Sequence, residues 1–276
     1  TLKIVNLYPR GYRNATNIAV NHIDIHSDLL PRAFDGYSIL HLTDLHLDGA
    51  ENIDHMVCEK ICDLRYDLCV LTGDYRERTH GTFKGMVKPM RRIAKSIRAK
   101  NGILAVLGNH DSYLMVDCLE DMGIRVLANE TTTIQQGNSR IAVTGIDDPN
   151  YYYTDQAIKG LEESGKGFKI VLVHTPELFD VAADNGYSLY LCGHTHGGQI
   201  CLPGGIPLLT HLYHGRKFHR GWWCYGKMQG YTGQGTGTVA LPVRFNSQSE
   251  IACITLRRSR RGHGKRNERL AVLPKP

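Results

Sequence analysis

The sequence predicts an α/β fold built around a mainly parallel sheet, with a second sheet layered beside it. Three observations predict it. Short, β-branched apolar runs bounded by turn residues recur along the chain, as buried strands require. In the first half, helical patterns alternate with these runs, which is the mark of βαβ units. Around residues 124–145 the runs come closer together, as a hairpin opening a second sheet layer would.

Taken in order, "YSILHLT" (37–43) is the first core strand. The helix after it, 51–64, sets Ile53, Met56, Val57, Ile61 and Leu64 on one face. "DLCVLT" (67–72) is the next strand, followed by a helical pattern over 83–99 that Pro89 should break. "GILAVLG" (102–108) leads to a helix over 112–123 that closes on a glycine. "RIAVTG" (140–145) and "FKIVLVH" (168–174) are strands, and the helix over 175–186 opens with Thr175 as N-cap and Pro176 in its first turn. "SLYLCGH" (188–194) and "IACITL" (251–256) complete the strand set. Residues 203–238, rich in glycine and aromatics without periodicity, read as long loops.

Composition bounds what this fold does. With 276 residues and 42% hydrophobic content, the chain can bury a full core. We expect a single domain over 1–256 and a basic, disordered tail over 257–276. The net charge of +6 belongs to that tail: from Arg257 onward eight Lys/Arg face only Glu268, leaving −1 for the rest. The body is therefore no basic nucleic-acid-binding surface, and no nucleic-acid partner is expected. Eight cysteines without a CxxC pair read as buried free thiols in a reducing compartment. No run of about 18 apolar residues would span a membrane. The chain starts at Thr1, so an N-terminal anchor upstream stays open; the expected location is cytoplasmic or membrane-associated through such a segment. The oligomeric state is left open.

The chemistry sits where strands end. "HLTDLHLDG" supplies Asp44 and His46, "LTGDYRE" Asp74, and "LGNHDSY" Asn109, His110 and Asp111. "VLVHTPE" supplies His174, and "CGHTHGG" His194 and His196. In an open α/β sheet the carboxyl ends of strands converge on one crevice, so these residues should meet. In an extended segment, side chains at i and i+2 point the same way, so Asp44 with His46 could chelate one ion, and so could His194 with His196. Glycine before Asp74, Asn109 and His194 permits sharp turns. The mixed imidazole, carboxylate and amide set suits Mn, Fe, Zn or Co better than Mg or Ca, and it is too large for one transition ion. No GxxxxGK[ST] loop points to NTPase chemistry. His41, on the first core strand, reads as a core or supporting residue.

The ordered series D-x-H, GD, GNHD, H, GHTH across residues 44–196 resembles the calcineurin-like metallophosphoesterases. The resemblance implies a four-layer αββα sandwich, two mixed sheets flanked by helices, with a dinuclear site between the strand ends. It implies two divalent metal ions, of which Mn is preferred: Asp44, His46 and His196 on one, Asn109, His174 and His194 on the other, and Asp74 bridging. His110 would be the catalytic acid, oriented by Asp111. Two metals about 3.5–4 Å apart would lower the pKa of a shared water and clamp the phosphoryl oxygens of an in-line displacement.

"GHTHGGQICLPG" followed by "YTGQGTGTVALPVRFNSQSEIACITL" looks like the YkuE-type phosphodiesterase branch, and the likeness covers most of 20–256. Some relatives there are UDP-diacylglucosamine pyrophosphatases of lipid A synthesis. The implied partner is a phosphoester, with a lipid-linked substrate and release of UMP as the sharper form. A non-catalytic metal-bearing module on the same fold is the reading of another class, disfavoured because His110 and every ligand remain. Leu208, Leu209, Leu212, Tyr213, Trp222 and Trp223, mixed with Arg216, Lys217 and Arg220, could touch a lipid headgroup layer. Expected substrate contacts are Tyr151, Tyr152, His211, His214, Arg216, Trp222 and Trp223.

Overall fold

The computed structural model describes residues 7–149, 155–162 and 165–259. Its strands are β1 (Ala19–Ser27), β2 (Ser38–Leu42), β3 (Leu68–Thr72), β4 (Ile103–Val106), β5 (Ile124–Val126), β6 (Glu130–Gln136), β7 (Ser139–Gly145), β8 (Lys169–Leu172), β9 (Leu189–Cys192), β10 (Cys201–Leu202), β11 (Ile206–Pro207), β12 (Gly221–Tyr225), β13 (Met228–Thr232) and β14 (Glu250–Arg258). The helices are α1 (Tyr8–Thr16), α2 (Ile53–Ile61), α3 (Lys84–Ser96), α4 (Val116–Glu120), α5 (Asp155–Glu162) and α6 (Phe179–Asp184).

Two six-stranded sheets carry the fold, in the orders β1-β14-β2-β3-β4-β5 and β12-β13-β9-β8-β7-β6. Both are mixed. β2 through β5 run parallel while β14 lies antiparallel to β2. β7, β8, β9 and β13 run parallel, with antiparallel β6 and β12 at the edges.

Period-two alternation explains the layering. In β3, Leu68 and Val70 face a cluster shared with Ile170, Leu172, Leu189 and Leu191 of the other sheet. Cys69 and Leu71 face the opposite way, against Val57 and Ile61 of α2 and Met90 and Ile93 of α3. In β9, Tyr190 and Cys192 likewise turn outward toward Ala157 and Leu161 of α5 and Phe179 and Ala182 of α6. Strands buried on both faces have to read as continuous apolar runs. The layers are helix, sheet, sheet, helix, as the family resemblance implies.

Three expectations need correction, and one region carried none. Pro89 does not break α3, which is continuous over Lys84–Ser96. The proline forfeits one bond in the first turns, and the fully buried face of Met86, Met90 and Ile93 carries the helix onward. The span 203–238 is not all loop: β12 and β13 form a hairpin inside it. One of its glycines is there for packing: Gly230 pairs with Trp223, and a Cβ on Gly230 would collide with the indole ring. The basic tail does not start at 257, because β14 pairs with β1 through Arg258; residues 260–276 lie outside the described residues. Finally, α1 and β1 carry no strong periodic signal, yet β1 runs nine residues along β14.

All eight cysteines are free, and Cys69, Cys192, Cys201 and Cys253 are buried. Among the described residues no helix is long and apolar enough to cross a membrane.

Candidate metal centre

β2, β3 and β4 of one sheet and β8 and β9 of the other deliver the candidate ligands just past their carboxyl ends. The reason they converge differs from the expected extended geometry. Asp44 (φ 50), His46 (φ 40), Asp74 (φ 57), His194 (φ 73) and His196 (φ 50) all have left-handed backbone. The chain therefore curls over the strand ends and aims these side chains inward. Such non-glycine conformations cluster at functional sites and persist only where the surroundings fix them. Gly73 supplies a turn at φ +91, whereas Gly193 is needed for close approach: a Cβ there would overlap Thr43 and Asp44.

Asp44, His46 and His196 offer ligand atoms within 4.8 Å of one another, and so do Asp74, His174 and His194. His46 Nε2 lies 3.1 Å from His196 Nε2, which in turn is 3.5 Å from an Asp44 carboxylate oxygen. On the other side, Asn109 Oδ1 lies 2.9 Å from His194 Nδ1 and 3.1 Å from His174 Nε2. Asp74 Oδ2 sits between the groups, 3.7 Å from His46 Nε2 and 3.2 Å from His174 Nε2. Imidazole, carboxylate and amide oxygen donors converge here in two groups, a set that fits two metal ions.

Hydrogen bonds at the far ring nitrogens support this. His46 Nδ1–H donates to the Arg76 carbonyl (2.9 Å), and His174 Nδ1–H to the Thr72 carbonyl (2.7 Å). Each bond leaves Nε2 as the nitrogen aimed at the centre. His194 is reversed: its Nδ1 faces the centre while Nε2 lies 3.4 Å from the His211 carbonyl. Thr43 Oγ1 and the His194 backbone N–H donate to the Asp44 carboxylate.

Burial disfavours charge throughout the site. It pushes His46 down to about 4 and His194 to about 3, and His196 well below its usual value, so these rings are neutral. Burial lifts Asp44 to about 6. The Asp74–His174 contact overcomes the burial penalty on both partners, holding the carboxyl well below its usual range and the imidazole well above.

His110 lies at the edge of the cleft, its ring 4.9 Å from that of His46 and its Nε2 3.9 Å from Asp74 Oδ2. Its Nδ1 contacts the Glu77 carbonyl. This corrects the role expected of Asp111, whose carboxylate does not orient His110. Asp111 instead accepts three buried backbone N–H groups, from Asp74 (2.7 Å), Gly108 (2.9 Å) and Tyr75 (3.0 Å). It ties the Asp74 loop to the Gly108–Asn109 loop. Burial, then Asp74, lifts its carboxyl to about 7.

Above the ligands lies a cleft of about 410 Å³ lined by Asp74, Asn109, His110, His194 and His196 below and by Leu208, Leu209, Val239 and Ala240 above. Leu208, Leu209 and His211 also border a neighbouring hollow of about 700 Å³ with Arg216 and Lys217. Of the expected substrate contacts, His211 and Arg216 thus lie at or beside the cleft. Trp222 and Trp223 do not line it. Both are strand residues of β12; Trp223 is buried, stacked on Phe218 and bonded to Thr232 Oγ1. His214 stacks on Phe179 beside Asp180, away from the cleft lining. Tyr151 and Tyr152 lie outside the described residues. His41 is buried, bonded to Thr72 Oγ1, and held down to about 3 by burial.

Three contributors carried no sequence signal: Thr43 and the Arg76 and Glu77 carbonyls. They act largely through backbone atoms or single contacts, which leave no spacing pattern.

Residues 37–198 match the family described as calcineurin-like phosphoesterase. The chain is 31% identical over 249 residues to the metallophosphoesterase YkuE of Bacillus subtilis (strain 168), covering 84% of this chain and 83% of that one. It is 27% identical over 235 residues to the phosphodiesterase YaeI of Escherichia coli (strain K12), covering 80% and 82%. It is 26% identical over 260 residues to a transmembrane protein with metallophosphoesterase domain from Danio rerio, covering 86% of this chain and 57% of that one.

Proposed function

Since this chain belongs to the calcineurin-like phosphoesterase family and is a metal-dependent phosphoester hydrolase, we propose that it cleaves a phosphodiester or pyrophosphate bond of an amphiphilic substrate. Asp44, His46 and His196 would hold one divalent cation, preferentially Mn; Asn109, His174 and His194 would hold the second, with Asp74 placed to serve both. The observation that carries this reading is Asp74 Oδ2, set between His46 and His174 at 3.7 and 3.2 Å. Two cations there supply Lewis acidity that activates water and neutralises phosphoryl oxygens.

The chain's own groups do the rest. Asp74 and His110 line the same cleft, so a phosphoryl group bound there would have its leaving oxygen within reach of His110. With Nδ1–H bonded to the Glu77 carbonyl, His110 in its imidazolium form would give its Nε2 proton to that oxygen and be left neutral. The Arg76 guanidinium donates to the His110, Thr79 and Gly81 carbonyls and so holds the segment carrying Glu77. Leu208 and Leu209, 60% and 59% exposed, offer apolar surface at the mouth, with Arg216 and Lys217 in the adjoining hollow. Apolar wall beside cationic side chains suits a substrate with an acyl part and a further anionic group. With Ile206 and Tyr213, also exposed, the same rim could touch a lipid headgroup layer.

The test is a panel run with Mn-loaded full chain: a small soluble diester, nucleotides, a diacyl phosphodiester and a UDP-linked diacylglucosamine. Higher kcat/KM on the acyl-bearing diester than on the soluble one is expected. UMP release from the UDP-linked lipid would narrow the activity to the pyrophosphatase form. Turnover of monoesters alone, or of nothing, overturns the proposal.

A further inference from the structure

Arg244 is the largest fully buried side chain among the described residues, and it forms no ion pair among them. A buried cation without a carboxylate partner needs other compensation, and here backbone carbonyls provide it. Nη1 donates to the His196 carbonyl (3.0 Å), which also accepts from Ser247 Oγ (2.8 Å). Nη2 shares its hydrogens among the carbonyls of Gln234 (2.6 Å), Gly237 (2.7 Å) and Gly235 (3.2 Å), and lies 3.2 Å from His196 Nδ1.

The gripped loop reaches a second ligand. Gly237 N–H donates to the Asp44 carbonyl (2.8 Å), and Thr236 N–H to that of Thr43 (3.3 Å). One guanidinium therefore fixes His196 directly and the Asp44 segment through residues 234–237. Both ligands sit in left-handed backbone that relaxes unless its surroundings hold it. Arg244 has no hydrogen bond to Asn109, His174 or His194.

We propose that Arg244 is the positioning residue of one cation position alone: it sets Asp44 and His196 against each other, while the position built by Asn109, His174 and His194 stands without it. This rests on the two-cation reading above. The guanidinium fork is what serves, because a lysine ammonium of equal charge cannot span both carbonyl groups.

Calorimetric titration of the metal-free full chain with Mn2+, with elemental analysis, tests it. Wild type takes up two ions; uptake of none would defeat the two-cation reading itself. In Arg244→Met one binding step weakens by about 10-fold or more, the range for residues that orient ligands, and the other keeps its wild-type affinity. Two unchanged steps, or two that weaken by the same factor, overturn the proposal. Arg244→Lys is expected to bind like Arg244→Met, and restoration by lysine would overturn the role of the fork. Should Arg244→Met fail to fold, Ser247→Ala removes the hydroxyl that donates to the His196 carbonyl, accepts from Arg244 Nη1 (3.3 Å) and lies 3.3 Å from Gln234 Oε1. It is expected to weaken the same single step about threefold, and wild-type binding in that variant overturns the proposal.

Discussion

At the residue scale, the roles proposed for Asp74 in cation binding and for His110 in proton transfer separate in variants. Asp74 Oδ2 faces donors of both clusters, so Asp74→Ala should lose both cations, read by elemental analysis, and turnover with them. His110 reaches the centre only at 3.9 Å from Asp74. His110→Ala should keep the cations yet turn over about 10²–10⁴-fold more slowly; equal turnover would remove it as the acid. Asp111 differs from both. Asp111→Ala would orphan three buried N–H groups at about 1–3 kcal/mol each. We expect a fall in Tm of about 5 °C or more by thermal denaturation, together with lowered cation content. A variant with wild-type Tm and slow turnover would instead tie Asp111 to His110.

At the element scale, the segment from β11 to β12 is the part proposed to distinguish substrates. Leu208 and Leu209 are exposed, so Leu208→Ser/Leu209→Ser should change stability by no more than about 0.5 kcal/mol per site. It should lower kcat/KM on a diacyl phosphodiester by about tenfold, as the loss of part of two leucine contacts implies, and spare a small soluble diester. An equal fall on both substrates would place these leucines in the general architecture of the cleft. The legibility of the sequence follows the same division. Strands such as β3 and β9, buried on both faces, had to be continuous apolar runs, and their ends had to carry the ligands. β1 is half exposed and alternates weakly, and β12–β13 interrupts its apolar pattern with Gly230, which makes room for Trp223. The ligand identities stood in the motifs. The left-handed backbone that aims them did not, nor did Asp111's bonds to the backbone, because both arise only when separate strand ends meet.

At the scale of the whole molecule, the site lies across the seam of the sandwich. Asp44, His46, Asp74 and Asn109 follow strands of one sheet, and His174, His194 and His196 follow strands of the other. Cations held there would join the two sheets at one end and would also screen three buried carboxyls. Asp74 helps raise the pKa values of both Asp44 and Asp111, which marks their mutual repulsion. A ligand bound only by the folded state stabilises it by RT ln(1 + [L]/Kd), about 2.7 kcal/mol for one site at a hundred times Kd. For a chain of this size that is about 5–10 °C in Tm. Removing the cations with a chelator should therefore lower Tm by at least this much, and Mn2+ should restore it in a concentration-dependent way. In Asp74→Ala, which lacks the bridge, chelator and Mn2+ should leave Tm unmoved. If the wild type melts at the same temperature with and without cations, while elemental analysis shows that they were removed, the site does not couple the sheets.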